Sequence, residues 1–226
     1  MVLHARRRER AGRSPLPYNP PMTPAYWQQA TDELARTDPV MAGLIATYSD
    51  TSLVSRGDPF LTLVRSIVGQ QISVRAADTI WSRLRDAVPD TSPAAILACS
   101  TETLRQCGLS ARKVEYLTDL AMHFDGGNIH THRWPSMSDA EIIAELTAVR
   151  GIGVWTAEMF LIFNQLRPDV FPLDDIGLQK AVARHYLSGR RPQRSELARI
   201  GERWQPWRSV ATWYLWRSLD PVPVEY

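Results

Sequence analysis

The 226-residue chain contains only two cysteines, Cys99 and Cys107. Two thiols cannot build a disulfide framework, and an iron–sulfur cluster asks for about four. Such sparse cysteine use fits a reducing compartment. Long hydrophobic runs are missing as well, and none approaches the roughly 20 residues of a membrane-spanning helix. The Arg-rich start lacks the apolar stretch of a secretory signal. These absences lead us to expect a soluble, cytoplasmic protein with no membrane partner. A dominant charge is absent too: 26 basic side chains face 24 acidic ones, for a formal net charge of +2. The basic character is local instead. Arg6, Arg7, Arg8, Arg10 and Arg13 precede Pro15, Pro17, Pro20 and Pro21. A segment so poor in apolar area cannot pack, so residues 1–22 read as a flexible basic tail, either solvated or touching phosphates.

Convincing alternation at a period of two is the last absence, and it argues against a half-buried sheet. Helical spacing fills its place, within a chain that is 44% hydrophobic. Phe60, Leu63, Val64, Ile67 and Val68 form one buried helix face, opened by Asp58 as N-cap and Pro59 at the first helical position. Thr23-Pro24 signals another start, for a helix through Leu34. Ser73 opens a helix through Ile80 and Leu84, and Ser110 one through Val114, Leu117 and Ala121. Ser138 with Glu141 matches a capping box ahead of Ile142, Ile143 and Leu146. Turns fall at Gly108, at Gly126-Gly127 and at Gly151 to Gly153. The spacing predicts an all-α protein of about ten short helices.

Leu146-Thr147-Ala148-Val149-Arg150-Gly151-Ile152-Gly153-Val154-Trp155-Thr156-Ala157 is the most informative stretch. A capped helix runs into a Gly-x-Gly turn and a second helix follows at once. Two glycines let the backbone take positive φ and approach another molecule closely. The first amides of the second helix are unpaired, and with the positive end of the helix dipole they suit a phosphate. Contact through backbone amides carries no sequence information, as a protein scanning DNA requires. A tight helix connection with glycine for steric reasons is the alternative.

Asp169-Val170-Phe171-Pro172-Leu173-Asp174-Asp175-Ile176-Gly177-Leu178 comes next. Pro172 imposes an extended approach, and a helix with Leu178, Val182 and Tyr186 on one face follows. Two carboxylates stand at its start. Asp174 suits the N-cap, which leaves Asp175 in the first turn, where the helix dipole favours an acid.

The stretch 146–182 resembles the helix–hairpin–helix of the DNA glycosylase superfamily, in its alkylated-base (3-methyladenine glycosylase II) branch. Weaker likeness extends over roughly residues 58–218. The resemblance implies a two-lobe helical domain over residues 23–226, with the hairpin at 138–165, a cleft between the lobes and no extra N-terminal β domain. It implies a base-excision repair enzyme that flips an alkylated base out of double-stranded DNA and leaves an abasic site. The catalytic aspartate of the superfamily lies some 20 residues past the second hairpin glycine, which points to Asp175, 22 residues after Gly153. Backbone contacts to DNA are assigned to Gly151, Gly153, Val154 and Thr156. Relatives that also nick the strand carry a lysine where this chain has Trp155, and an indole cannot form an imine, so hydrolysis without lyase activity is expected.

Four of the eight tryptophans fall in the last 23 residues. The resemblance puts Trp155, Met159 and Trp216 in the base pocket and leaves Trp204 and Trp207 as core. Indole faces stack on a flipped base and attract a cationic one. Gly69-Gln70-Gln71-Ile72-Ser73 resembles the wedge loop, with the inserted side chain open between Gln71 and Ile72, and Gln70 open between wedge and buried amide. No cofactor is required. The family often holds a monovalent sodium or potassium ion on hairpin carbonyls, here those of Thr147, Val149 and Ile152. A monomer is expected. Two other readings stay open: a glycosylase for oxidised or mismatched bases, and a non-catalytic DNA-binding module that would need neither Asp175 nor an aromatic pocket.

Overall fold

A computed structural model describes residues 23–219; the basic tail expected at 1–22 lies outside the described residues. Twelve α-helices and one 3-10 turn (Trp134–Ser136) make up the ordered elements, and no strand occurs among the described residues. In chain order the helices are α1 (Trp27–Thr37), α2 (Pro39–Thr47), α3 (Pro59–Gly69), α4 (Val74–Ala87), α5 (Pro93–Ala98) and α6 (Thr101–Gln106). There follow α7 (Ala111–Asp125), α8 (Asp139–Thr147), α9 (Val154–Phe163), α10 (Ile176–Tyr186), α11 (Arg194–Glu202) and α12 (Arg208–Leu219). No helix among the described residues is long and apolar enough to cross a membrane.

Side-chain oxygens set most of the starts. Asp58, Ser73 and Ser110 each accept from the first-turn amides that the spacing predicts. Ser138 and Glu141 close both bonds of their capping box. The prediction for α1 is a turn too early. Thr23 does not cap it; its hydroxyl pairs with Ser52, and α1 begins at Trp27 behind an uncapped Tyr26. Asp38-Pro39 carries the same signal as Asp58-Pro59 and opens α2, with Asp38 accepting from the amides of Val40 and Met41.

The helices pack in two groups. The middle of the chain, α3 to α9, forms one through contacts of α3 with α4, α7 and α9, of α5 and α6 with α7, and of α8 with α9. The two ends form the other, where α1, α2, α10 and α12 pack together. Trp27 meets Trp213 and Tyr214 in this end group, and Trp204 lies between Phe171 and Tyr186. Asp38 ties it further: the other oxygen of the α2 cap accepts from Tyr186 Oη and Trp204 Nε1, both at 3.0 Å. Trp204 is fully buried, while Trp207 is half-buried against Tyr26 and donates to Glu33.

Two helices are buried almost all round, α9 from the middle group and α12 from the ends. Each fully buried large apolar side chain contributes roughly 1.5–3 kcal/mol, so these two helices are held firmly. They meet where Phe163 of α9 stacks on Trp216 of α12, with ring centroids 5.7 Å apart and planes 16° apart. That meeting point is where the candidate site forms.

Candidate active site

Asp175 is the N-cap of α10, not a residue of its first turn. Pro172 turns the chain so that its carbonyl accepts from the Asp175 amide, and the Asp175 carboxylate then accepts from Leu178 N at 2.6 Å. The cap expected of Asp174 is therefore made by Asp175, and Asp174 lies outside the helix. Asp174 is exposed and ion-paired with Arg194.

Two indoles complete the grip on Asp175. Trp216 Nε1 donates to Oδ1 at 2.8 Å, and Trp155 Nε1 donates to Oδ2 at 2.9 Å. Asp175 is only 8% exposed, and every partner of its carboxylate is an N–H donor. Two donors occupy the lone pairs of Oδ1. Oδ2 accepts only from Trp155 and keeps one lone pair, so that oxygen alone can orient a further donor such as water. Gly177 leaves room for the arrangement. A Cβ there would lie 3.1 Å from both Asp175 Oδ1 and Trp216 Cδ1. A glycine in a helix costs roughly 0.5–1 kcal/mol against alanine, and that oddity was the signal in the sequence.

Trp155 stands at the start of α9 and is 39% exposed, so its ring is open while its N–H is engaged. Met159, one turn on, is buried in the core. Between them along the helix lies Glu158, which sequence reasoning passed over. Burial, then the charges of Asp174 and Asp175, push its carboxyl up to about 7 against the opposing pull of Arg194.

The hairpin turn holds one glycine at positive φ rather than two. Gly151 has φ +86°, and a Cβ there would fall 2.2 Å from the Tyr116 ring. Gly153 is extended at φ −94° and faces open space. It is the N-cap of α9 and has no side chain to satisfy the helix's first amides. Val154 beside it is 55% exposed, whereas the side chain of Thr156 is buried. Thr147 ends α8, and Val149 and Ile152 are buried in the turn that follows. The Val149 carbonyl accepts from Ile152 N at 3.2 Å and keeps a second lone pair. Neutral oxygens of this kind suit a hard monovalent cation, and the described residues include no His, Cys, Asp and Glu group that could hold a metal ion.

Gln70 does not point outward. Its Nε2 donates to the Gly151 carbonyl at 2.9 Å, so the half-buried amide reading holds. Gln71, with φ +59°, and Ile72 are exposed at the loop tip.

The geometry has close counterparts. Residues 64–206 match the model of the HhH-GPD superfamily base excision DNA repair proteins. DNA-3-methyladenine glycosylase 1 of Schizosaccharomyces pombe is 31% identical over 77% of this chain and 78% of its own. The crystal structure of a DNA-3-methyladenine glycosidase from Bacillus halodurans covers 81% of this chain and 91% of its own, at 34% identity and a TM-score of 0.72. The S. pombe 3-methyladenine DNA glycosylase solved in complex with abasic DNA covers 84% and 96%, at 30% identity and a TM-score of 0.73. With its helical hairpin, its capping aspartate and these likenesses, the chain belongs to the HhH-GPD superfamily of base excision DNA repair proteins.

Proposed function

We propose that this protein is a monofunctional DNA glycosylase that hydrolyses the N-glycosidic bond of alkylated bases of the 3-methyladenine type in double-stranded DNA. The observation that carries the reading is the Asp175 carboxylate, held at the meeting of the two helix groups by Leu178 N, Trp216 Nε1 and Trp155 Nε1. Breaking the bond builds positive charge on the deoxyribose. A fixed carboxylate in a poorly hydrated site stabilises that charge, and Oδ2 is free to orient the attacking water. An alkylated purine already carries positive charge, so it departs without a strong general acid. The Trp155 and Trp216 faces stack on the flipped base, with Met159 behind them, and electron-rich rings favour a cationic base by about 0.5–2 kcal/mol. The names of the S. pombe and B. halodurans relatives support this substrate class.

The hairpin backbone at Gly151, Gly153, Val154 and Thr156 grips a phosphate, and Gln71 or Ile72 fills the gap left by the base. Thr147, Val149 and Ile152 would offer carbonyls to a monovalent cation, which would steady the turn. The protein acts as a monomer and needs no other cofactor. Trp155 stands where an imine-forming lysine would be needed, so the product is an abasic site with an intact strand.

Incubating the purified protein with methylated duplex DNA and identifying released bases by mass spectrometry tests the reading. Release of 3-methyladenine is expected, and borohydride should trap no covalent adduct. Release of oxidised bases alone would overturn the substrate class, and a trapped adduct would overturn the hydrolytic mechanism.

A further inference from the structure

The two loops assigned to DNA are not independent. Gln70 follows α3 directly and spans to the hairpin, donating to the Gly151 carbonyl. α7 braces both sides of that bond. Lys113 Nζ donates to the Val68 carbonyl at the end of α3, at 2.8 Å. The Tyr116 ring fills the space beneath Gly151. Asp119 Oδ2 accepts from the Arg150 amide at 2.8 Å. Residues 113, 116 and 119 thus run along α7 from the wedge loop to the hairpin. The loop between them holds a cost: Gln71 is a non-glycine residue in the left-handed region, worth roughly 1–2 kcal/mol. Such a conformation persists only where its flanks are fixed. Gln70 fixes one flank through Gly151, and Ser73 fixes the other by capping α4.

We infer that Gln70 is a positioning residue that locks the Gln71–Ile72 tip to the hairpin, so that gripping the phosphate and filling the base gap occur in one geometry. The inference rests on the reading above that both loops face DNA. Gln70→Met keeps the shape of the side chain and removes the donor. Its test is single-turnover base release, with extrusion followed by 2-aminopurine placed beside the lesion. Release and extrusion should fall about tenfold, the effect of one lost hydrogen bond at a strained site, while affinity for undamaged duplex stays put. Gln70→Ala should behave alike. Asp119→Ala loosens the same turn from the other side, so combining it with Gln70→Met should cost less than the product of the two. Full multiplication would mean that Gln70 touches DNA directly, and the proposal falls. Wild-type extrusion by Gln70→Met, with Gln71→Ala or Ile72→Ala defective, also overturns it. If both of those tip variants extrude normally, the wedge reading itself has failed.

Discussion

Two helices begin at this site, and they treat the same backbone feature in opposite ways. α9 starts behind Gly153, with no side-chain cap on its first amides and an exposed Val154 beside them. α10 starts at Asp175, whose own carboxylate fills the position an external anion would take. Both starts offer free N–H groups and a positive dipole end. One is left open for an anion from outside, and the other is closed on an internal anion that is then held for chemistry. A missing side chain and a present one are the whole difference.

The largest effect should come from emptying the closed start of its charge. Asp175→Asn keeps a carbonyl oxygen for Leu178 N and turns an amide N–H₂ toward one of the indole donors. Single-turnover release should fall about 10²–10³-fold, with duplex binding retained. Survival of base release would show that the capping carboxylate is only structural. Closing the open start comes next. Gly153→Asp finds free space for its side chain and a backbone already extended. It should stabilise α9 by a few tenths of a kcal/mol and weaken duplex affinity about tenfold, read by melting and by anisotropy at low salt. Unchanged affinity would mean that α9 holds no phosphate.

A smaller effect tests the link between the two starts. Trp155→Phe keeps a stacking ring and removes the hydrogen bond on Oδ2. Base release should slow by about three- to tenfold. The smallest concerns Glu158, near both starts. Its carboxyl is raised from 4.5 to about 7, chiefly by burial and then by Asp174 and Asp175. The folded protein therefore keeps a proton that the unfolded chain loses, and stability drops as pH rises between those values. Glu158→Gln should melt like the wild type below about pH 4.5 and slightly higher above about pH 7, with the gap opening in between. A gap that is constant with pH would mean that burial does not raise the Glu158 carboxyl.

Much of the fold was legible because its signals are local. Asp58-Pro59, Ser73, Ser110 and the Ser138–Glu141 box act within one turn, and all form. Asp38-Pro39 was equally readable and shows how easily a signal is passed over. Thr23-Pro24 failed because Thr23 found a partner 29 residues away, in Ser52. At the site, Asp174 and Asp175 offer the same local chemistry. The choice between them depends on how the chain turns after Pro172 and on Arg194 drawing Asp174 outward. Glu158 was not legible, because its proton affinity comes from burial and from charges across the site.

By itself, the sequence determined a helical protein, a glycine turn opening onto an uncapped helix, and an indole where an imine would need an amine. Tertiary structure decided which carboxylate the indoles of Trp155 and Trp216 would hold, and it tied Gln70 to the hairpin. The reason lies in α9 and α12 themselves. α9 is apolar along most of its length, and α12 scatters Arg208, Ser209, Thr212, Arg217 and Ser218 around its circumference, so neither has a polar stripe to announce which way its tryptophan faces. Only the packing of each helix on its own neighbours, α9 on α8 and α3 and α12 on α10, α2 and α1, fixes that rotation, and with it the two hydrogen bonds on Asp175.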